Sequence, residues 1–264
     1  MHGRVLIVAG SDSGGGAGIQ ADIKTVTMLD AFAATAITAL TAQNTEGVFG
    51  VLPISPDFIR RQMEVVLDDI GADAVKTGML HDAAVIEMVA AVLAERAANV
   101  PLVVDPVMVA KGGAPLIEPG AIDALKRLLI PRAAVLTPNL PEAEILTSRT
   151  IDTLEAMRSA AEQLLELGCR AVLLKGGHLP GETVYDVLVT VSGWREWASP
   201  RIDSRHTHGT GCTLASAIAA GLAQALPVEE AVERARDYVQ HAIASAPGFG
   251  RGHGPLDHAH PLRR

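Results

Sequence analysis

The residues best suited to chemistry lie in five short stretches, each glycine-rich or closing an apolar run. The first is AGSDSGGGAG at residues 9–18, with glycine at 10, 14, 15, 16 and 18. Glycines let a backbone approach a ligand closely and take positive φ, and a loop entering a helix N-terminus suits an anion. The stretch is neither G-x-x-x-x-G-K-[ST] nor a clean G-x-G-x-x-G, so a long ligand-free turn is the competing reading. The second is HTHGTGCTLASAIAAGLA at residues 206–223. Gly209-Thr210-Gly211 opens onto an Ala-rich helix, leaving the amides of residues 210–213 to converge on a negative oxygen, with the helix dipole in support. Cys212 at that helix start is either a reactive thiol, its pKa lowered from about 8.5, or a small residue in a tight helix contact.

In the third stretch, VVDPVMVAKGGAPLI at residues 103–117, Asp105 ends a predicted parallel strand, where ligands of open α/β sheets gather. It equally suits a strand-end cap before Pro106. Lys111 with Gly112-Gly113 reads as a mobile loop carrying a cation. The fourth, LTPNLPEAEIL at residues 136–146, sends Asn139 and Glu142 toward the same cleft. Hard oxygen donors of this kind suit Mg²⁺, while Glu142 alone also suits a helix N-terminus. The fifth, LLKGGH at residues 173–178, places Lys175 at a strand end, as a phosphate contact or a solvated cation. Taken together, a glycine loop, an Asp, an Asn/Glu pair, a Lys and an anion-binding helix start ask for phosphoryl transfer with Mg²⁺, which is mostly positioning and charge neutralisation.

The elements that must position these residues follow from hydrophobic periodicity. Apolar runs at 4–9, 33–40, 48–54, 72–76, 102–105, 133–136 and 171–175 are mostly continuous rather than alternating, as in parallel strands buried on both faces. Helical patterns at 19–29, 56–70, 83–97, 119–129 and 153–167 lie between them. The 56–70 pattern sets Phe58, Met63, Val66, Leu67 and Ile70 near one face. Ser55 before Pro56 reads as a helix N-cap, and Gly168 as a helix stop. Residues 183–191 and 194–198, around Ser192-Gly193, predict a hairpin. Two long helices follow at 212–225 and 228–246, and then an irregular segment at 247–264. The alternation predicts an α/β fold with a mostly parallel sheet covered on both sides. With no internal repeat or low-complexity linker, residues 1–264 read as one domain.

Composition narrows the classes. The chain has 264 residues, 48% of them hydrophobic, which excludes a mostly disordered protein. Charge is 22 − 30 = −8, which argues against a nucleic-acid coat or a polybasic membrane binder. Aromatics at 3% argue against a stacking platform for single strands. Two cysteines, Cys169 and Cys212, make no disulfide framework, which points to a reducing cytoplasm. No apolar run is long enough for a membrane span, and the N-terminal run flows straight into the glycine loop as a first strand rather than a signal peptide. The apolar residues 31–40 suit either core or interface. His206, His208, His253, His258 and His260 lack a specific metal spacing, and His260 is expected to be exposed.

At this point the chain resembles the ribokinase-like superfamily and, within it, the bacterial hydroxymethylpyrimidine/phosphomethylpyrimidine kinases. The resemblance runs from about residue 5 to 255. It rests on AGSDSGGGAGIQADIKT, TALTAQNT, VKTGML, VVDPVMVAKGG, LTPNLPEA, LLKGGH and HTHGTGCT, in that order. It implies a three-layer α/β/α sandwich that transfers the γ-phosphoryl of ATP twice, in thiamine biosynthesis. The first transfer converts 4-amino-5-hydroxymethyl-2-methylpyrimidine to its monophosphate, and the second makes the diphosphate. Gly10, Asp22, Gln43 and Val107 match positions lining the pyrimidine pocket. Asp105 and Glu142 match the magnesium region, and Lys175, Thr207, Gly209 and Thr210 match ATP contacts. Gly209, Gly211, Cys212 and Lys175 match the anion hole and catalytic positions. The resemblance also implies a homodimer, and a C-terminal flap at GHGPL, residues 252–256. Where sugar kinases of the superfamily carry Asp as a base, this chain carries Cys212, which is similar to the pyrimidine-kinase branch. Two alternatives stand beside this reading: a pyridoxal kinase, disfavoured by Gln43 in TAQNT, and a non-catalytic pyrimidine-binding protein, disfavoured by the presence of Asp105, Lys175 and Cys212. The length leaves no room for a fused thiamine-phosphate synthase.

Overall fold

A computed structural model describes residues 1–109 and 116–263. The expected loop around Lys111, Gly112 and Gly113 lies outside the described residues. The first apolar run becomes β1 (Arg4–Asp12), followed by α1 (Gly18–Met28) and then β2 (Phe32–Gln43). After β3 (Val48–Pro53) the chain alternates through α2 (Pro56–Asp69), β4 (Ala74–Thr77), α3 (Ala83–Arg96) and β5 (Leu102–Val104). Next come α4 (Pro119–Ala124), β6 (Val135–Leu136), α5 (Leu140–Thr147), α6 (Leu154–Leu165) and β7 (Ala171–Lys175). The hairpin β8 (Thr183–Thr190) and β9 (Gly193–Pro200) leads to α7 (Thr210–Ala223) and α8 (Val228–Ala244).

Continuous apolar strands work here because each feeds two cores at once. On β1, Leu6 and Val8 face one hydrophobic cluster while Val5, Ile7 and Ala9 face the other. The same division separates Leu102 and Val104 from Val103 on β5, and Val172 and Leu174 from Ala171 and Leu173 on β7. One cluster is closed by residues of α2 to α6, such as Ile59, Val89, Ala124, Leu146 and Leu164. The other is closed by α1, α7 and α8, through Val26, Ile218 and Val232 among others. The result is an α/β/α arrangement around one sheet of order β3-β2-β1-β4-β5-β6-β7-β8-β9. From β2 to β7 the pairings are parallel. β3, β8 and β9 are antiparallel additions at the two flanks.

Three expectations are corrected. The run at 48–54 is not a buried parallel strand; β3 is an antiparallel edge with Phe49 72% and Leu52 62% exposed. In α2 the inward residues are Ile59 and Met63, both fully buried, while Phe58 is 59% exposed. The core side of this helix therefore starts one position later than the sequence pattern suggested. The helix expected over 119–129 ends as α-helix at Ala124, then runs as a π-turn over Leu125–Leu129 and a 3₁₀ turn over Ile130–Arg132. Pro131 lacks an amide hydrogen and crowds the preceding turn, which accounts for the break. Ser55 precedes α2 without a side-chain capping bond, whereas Asp82 and Thr153 cap α3 and α6.

Candidate active site

A cleft of about 1600 Å³ opens at the carboxyl ends of the parallel strands. Gly10, Gln43 and Val107 line this cleft. Gly10 occupies a register shift in β1, and Gln43 follows another in β2. Both irregularities turn the strand ends toward the cleft. Met79 comes so close to Gly10 that any Cβ there would strike its methyl group.

A further part of the lining is built on the N-terminus of α7, next to Gln43 through His208. Gly209 holds φ +82, and a Cβ there would run into the Gly16 carbonyl, so only glycine lets the two loops meet. Thr207, Thr210, Gly211 and Cys212 line the same wall. Lys175 donates to Asp105 at 3.2 Å, and a Cβ on Gly211 would sit 3.3 Å from the Lys175 ammonium. Thr137 also donates to Asp105, at 3.2 Å. Glu142 completes this part of the lining. It forms a capping box with Asn139: its carboxylate accepts from the Asn139 amide at 2.8 Å, and its own amide donates to Asn139 Oδ1 at 2.9 Å. The helix-start reading of Glu142 and the cleft reading are thus both met by one geometry. Burial pushes the Glu142 carboxyl up to about 7, with Lys175 opposing the rise and Asp105 adding to it.

Asp22 departs from its expected place. It is fully buried behind the cleft rather than on its wall. Its two oxygens take the Lys76 ammonium at 3.0 and 2.9 Å, and Ser216 donates to it at 2.7 Å. The pair is fully enclosed by β4, α1 and α7, and Lys76 reaches the cleft floor. Sequence reasoning missed this role for Lys76. Its only signal is a lone charge inside a short apolar strand.

The expected lowering of the Cys212 pKa is also corrected. Burial pushes the thiol up to about 12; Lys76 opposes the rise, and Asp22 and Asp105 reinforce it. Desolvating a thiolate beside two carboxylates outweighs the helix N-terminus.

The glycine loop is not slack. The Asp12 carboxylate accepts from the amides of Gly14, Gly16 and Ala17 at 2.8, 3.1 and 2.8 Å, and it meets His208 Nε2 at 2.9 Å. Burial alone would raise this carboxyl, but the bonds from His208 and from the Ala17 and Gly14 amides hold it below the ordinary carboxylate value. Neither Asp12 nor His208 stood out as a site residue in the sequence. The other histidines scatter. His258 is buried against Thr213 Oγ1 at 3.0 Å. His260 is half-buried against Tyr238 and His241 rather than exposed. Among the described residues, no group of three or more His, Cys, Asp or Glu side chains could hold a metal by itself.

The chain is similar to several known proteins. The family profile for phosphomethylpyrimidine kinase matches residues 12–257. The chain is 54% identical over 257 residues to the thiamine biosynthesis bifunctional protein ThiED of Geobacter sulfurreducens, covering 97% of this chain but only 52% of that relative's length. It is 49% identical to the hydroxymethylpyrimidine/phosphomethylpyrimidine kinase of Bacillus subtilis, covering 97% of this chain and 94% of the relative. Among solved structures, phosphomethylpyrimidine kinase from Clostridium difficile superposes with a TM-score of 0.81 at 41% identity, over 91% of this chain and 99% of that one. Pyridoxal kinase from Staphylococcus aureus, in complex with AMP-PCP and pyridoxal, gives a TM-score of 0.91 at 34% identity, over 100% of this chain and 96% of that one. The profile's span and these identities show that the chain belongs to the phosphomethylpyrimidine kinase family.

Proposed function

We propose that the protein phosphorylates 4-amino-5-hydroxymethyl-2-methylpyrimidine to its monophosphate and then to its diphosphate, with ATP as phosphoryl donor, in thiamine biosynthesis. The observation that carries this reading is a single continuous cleft. It is lined by the Gln43 amide, the N-terminal residues of α7, Lys175 and Asp105 together. An aminopyrimidine edge needs a donor and an acceptor side by side, which a carboxamide supplies. A transferring phosphoryl group needs preorganised amides and a cation, which Thr210 to Cys212 and Lys175 supply. The relatives named as hydroxymethylpyrimidine/phosphomethylpyrimidine kinases support the substrate, and the AMP-PCP complex of the pyridoxal kinase supports a nucleotide triphosphate as donor.

Asp105 and Glu142 fit a magnesium ion: two hard carboxylates in one cleft, too few for a protein-only cage, suit an ion that also takes water and phosphate oxygens. When bound, Mg²⁺ would neutralise phosphate charge. The chain itself orients the ring through Gln43, holds the transferring group at the amides of α7, and sets Cys212 beside the hydroxyl. Cys212 takes the hydroxymethyl proton in the first transfer. It does so as the thiolate, its own proton having first left to solvent; the raised pKa makes that thiolate scarce near neutral pH but a stronger base once formed. In the second transfer the attacking phosphate oxygen is already ionised and needs no base.

We also infer one kinase domain over residues 1–264, and a cytoplasmic setting that fits two free cysteines. No helix among the described residues is long and apolar enough to cross a membrane. A homodimer through the β2–β3 face would cover Phe49, Leu52 and the neighbouring Phe58. Sedimentation at low and high protein concentration tests it, and a monomer throughout rejects it. Pyridoxal is the second reading, favoured by the higher TM-score of the pyridoxal kinase. Phosphorus NMR with Mg·ATP, offering the hydroxymethylpyrimidine and pyridoxal in parallel, decides between them. Monophosphate followed by diphosphate from the pyrimidine is the expected result. Phosphorylation of pyridoxal alone moves the protein to the second reading. Pyrimidine bound without turnover makes it a binding protein.

A further inference from the structure

Gln43 can read a ring edge in two ways, depending on which end of its amide faces which neighbour. In the structure the amide oxygen Oε1 lies 3.2 Å from Thr41 Oγ1 and the nitrogen Nε2 lies 3.3 Å from His208 Nε2, an assignment that a half-turn of the carboxamide reverses. The hydrogens of these neighbours decide the orientation. Thr41 has a single hydroxyl hydrogen, given to the Ser11 carbonyl at 2.8 Å. A carbonyl only accepts, so toward Gln43 the Thr41 oxygen can only accept as well. The amide nitrogen therefore faces Thr41.

His208 gives the same answer independently. Its Nε2 lies 2.9 Å from Asp12 Oδ2, an oxygen that already accepts from the Gly16 and Ala17 amides. An ionised carboxylate has no hydrogen to give, so His208 Nε2 carries the proton. That hydrogen is given to Asp12, and a protonated Nε2 has no lone pair to take an amide hydrogen, so the amide oxygen is the end that fits beside it.

We propose that Asp12 and His208 are positioning residues for substrate selection: they hold the Gln43 carboxamide with its oxygen toward His208 and its nitrogen toward Thr41, and so fix the in-plane rotation of the bound pyrimidine. This rests on the pyrimidine reading of the cleft. After its internal bonds, Gln43 keeps one N–H and one oxygen lone pair for a ligand. In the aminopyrimidine the order along the ring edge is ring nitrogen, amino carbon, hydroxymethyl carbon. The amide oxygen takes the amino group on the His208 side, and the N–H meets the ring nitrogen on the Thr41 side. The hydroxymethyl group then lies beyond the amino group, on the side of His208 and of Gly209 to Cys212, which follow it in the chain. A reversed amide would turn the same ring about and send the hydroxyl toward Thr41. Pyridoxal has no amino group next to a ring nitrogen, so the locked amide favours the pyrimidine.

The test has a spectroscopic arm and a kinetic arm. In the ligand-free protein, NMR is expected to place the Gln43 amide hydrogens near the Thr41 methyl, and the imidazole nitrogen shifts are expected to report a proton on His208 Nε2. Amide contacts to the His208 ring, or a bare Nε2, overturn the proposal whatever the substrate proves to be. In the kinetic arm, His208→Leu frees the amide, whereas His208→Gln restores an N–H toward Asp12. His208→Leu should lower kcat for the pyrimidine by about three- to tenfold, the size of one lost hydrogen bond, with a much smaller change in KM. Its preference over pyridoxal should shrink by a similar factor, and His208→Gln should recover most of both. Equal losses in the two variants, or an unchanged substrate preference in His208→Leu, overturn the positioning role. If wild type turns over pyridoxal only, the pyrimidine reading fails while the spectroscopic arm still judges the lock.

Discussion

Two lysine–aspartate pairs sit on neighbouring parts of the same sheet and do different work. Lys76 and Asp22 are both 0% exposed, and Asp22 is further held by Ser216. Lys175 and Asp105 are 14% and 3% exposed and lie on the wall of the cleft. The first pair has its carboxylate saturated by protein. In the second, one Asp105 oxygen takes Lys175 and Thr137 while the other faces the empty side of Gly211. A saturated buried pair braces the framework, and a pair with spare valences beside a glycine can exchange partners with a phosphate. The sign of a charge pair thus says little about its purpose; the number of its bonds already taken says more.

Breaking the sealed pair should produce the largest effect. Lys76→Met leaves Asp22 as an uncompensated buried charge, which costs about 3–5 kcal/mol. For a chain of this length that lowers Tm by roughly 10 °C. Lys76→Met combined with Asp22→Leu should recover part of the loss, since an apolar pair removes the stranded charge. Calorimetry on the three proteins checks this, and an unchanged Tm in Lys76→Met would show that the pair is not a brace. Lys175→Met should do the reverse, with Tm near wild type and kcat/KM down about 10²–10³-fold, as for loss of one preorganised donor to a developing oxyanion. A folded variant with near-normal turnover would remove Lys175 from the phosphate site.

Cys212 lies between the two pairs and sharpens the contrast. Cys212→Ala should slow the first transfer by about 10²-fold, in the range of a lost general base, and the second much less. Separate rates for the two products check it, and equal losses would point to the shape of the anion hole. The smallest expected effect concerns pH and salt. Burial alone would lower the Lys76 pKa, but Asp22, with Cys212 and Asp105 beyond it, raises it above the ordinary lysine value. A raised lysine contributes fully below its unfolded pKa of about 10.4 and loses that contribution only as pH climbs past it. The Tm gap between wild type and Lys76→Met should therefore not narrow from about pH 7 to 10, widening where the stranded Asp22, already raised by burial, loses its proton, and should barely respond to salt, because buried charges are poorly screened. A gap that closes by neutral pH or in molar salt would put the pair in contact with solvent.

Much of the frame was legible because it is written locally. Continuous apolar runs gave the parallel strands, and Gly209-Thr210-Gly211 before an Ala-rich run gave the start of α7. The misplacements share one cause, which is dependence on distant partners. Asp22 reads as a pocket residue until Lys76, 54 positions away, is seen to claim it. The Cys212 pKa depends on Lys76, Asp22 and Asp105, each from a different element. β3 carries the composition of a core strand yet lies at the sheet edge, and neighbouring apolar residues do not reveal which side of a strand stays uncovered. Asp12 and His208 both lie within glycine-rich motifs, but their pairing spans 196 positions and leaves no periodicity.

That span has a consequence for how the chain comes into being. The turn after Gln43 is tied to the far end of the molecule: the Thr45 carbonyl accepts from the His253 amide at 2.8 Å, and its hydroxyl accepts from the Gly252 amide at 3.3 Å. His208 itself is held through its amide by the Gly254 carbonyl at 3.2 Å. During synthesis from the N-terminus, β1, β2 and their glycine loop leave the ribosome early, but the contacts that shape the cleft beside Gln43 wait for residues 252–254. A growing chain is therefore blind to its pyrimidine until nearly all of it has been made, and a product cut short before those residues should keep most of the sheet yet sequester no vitamin precursor.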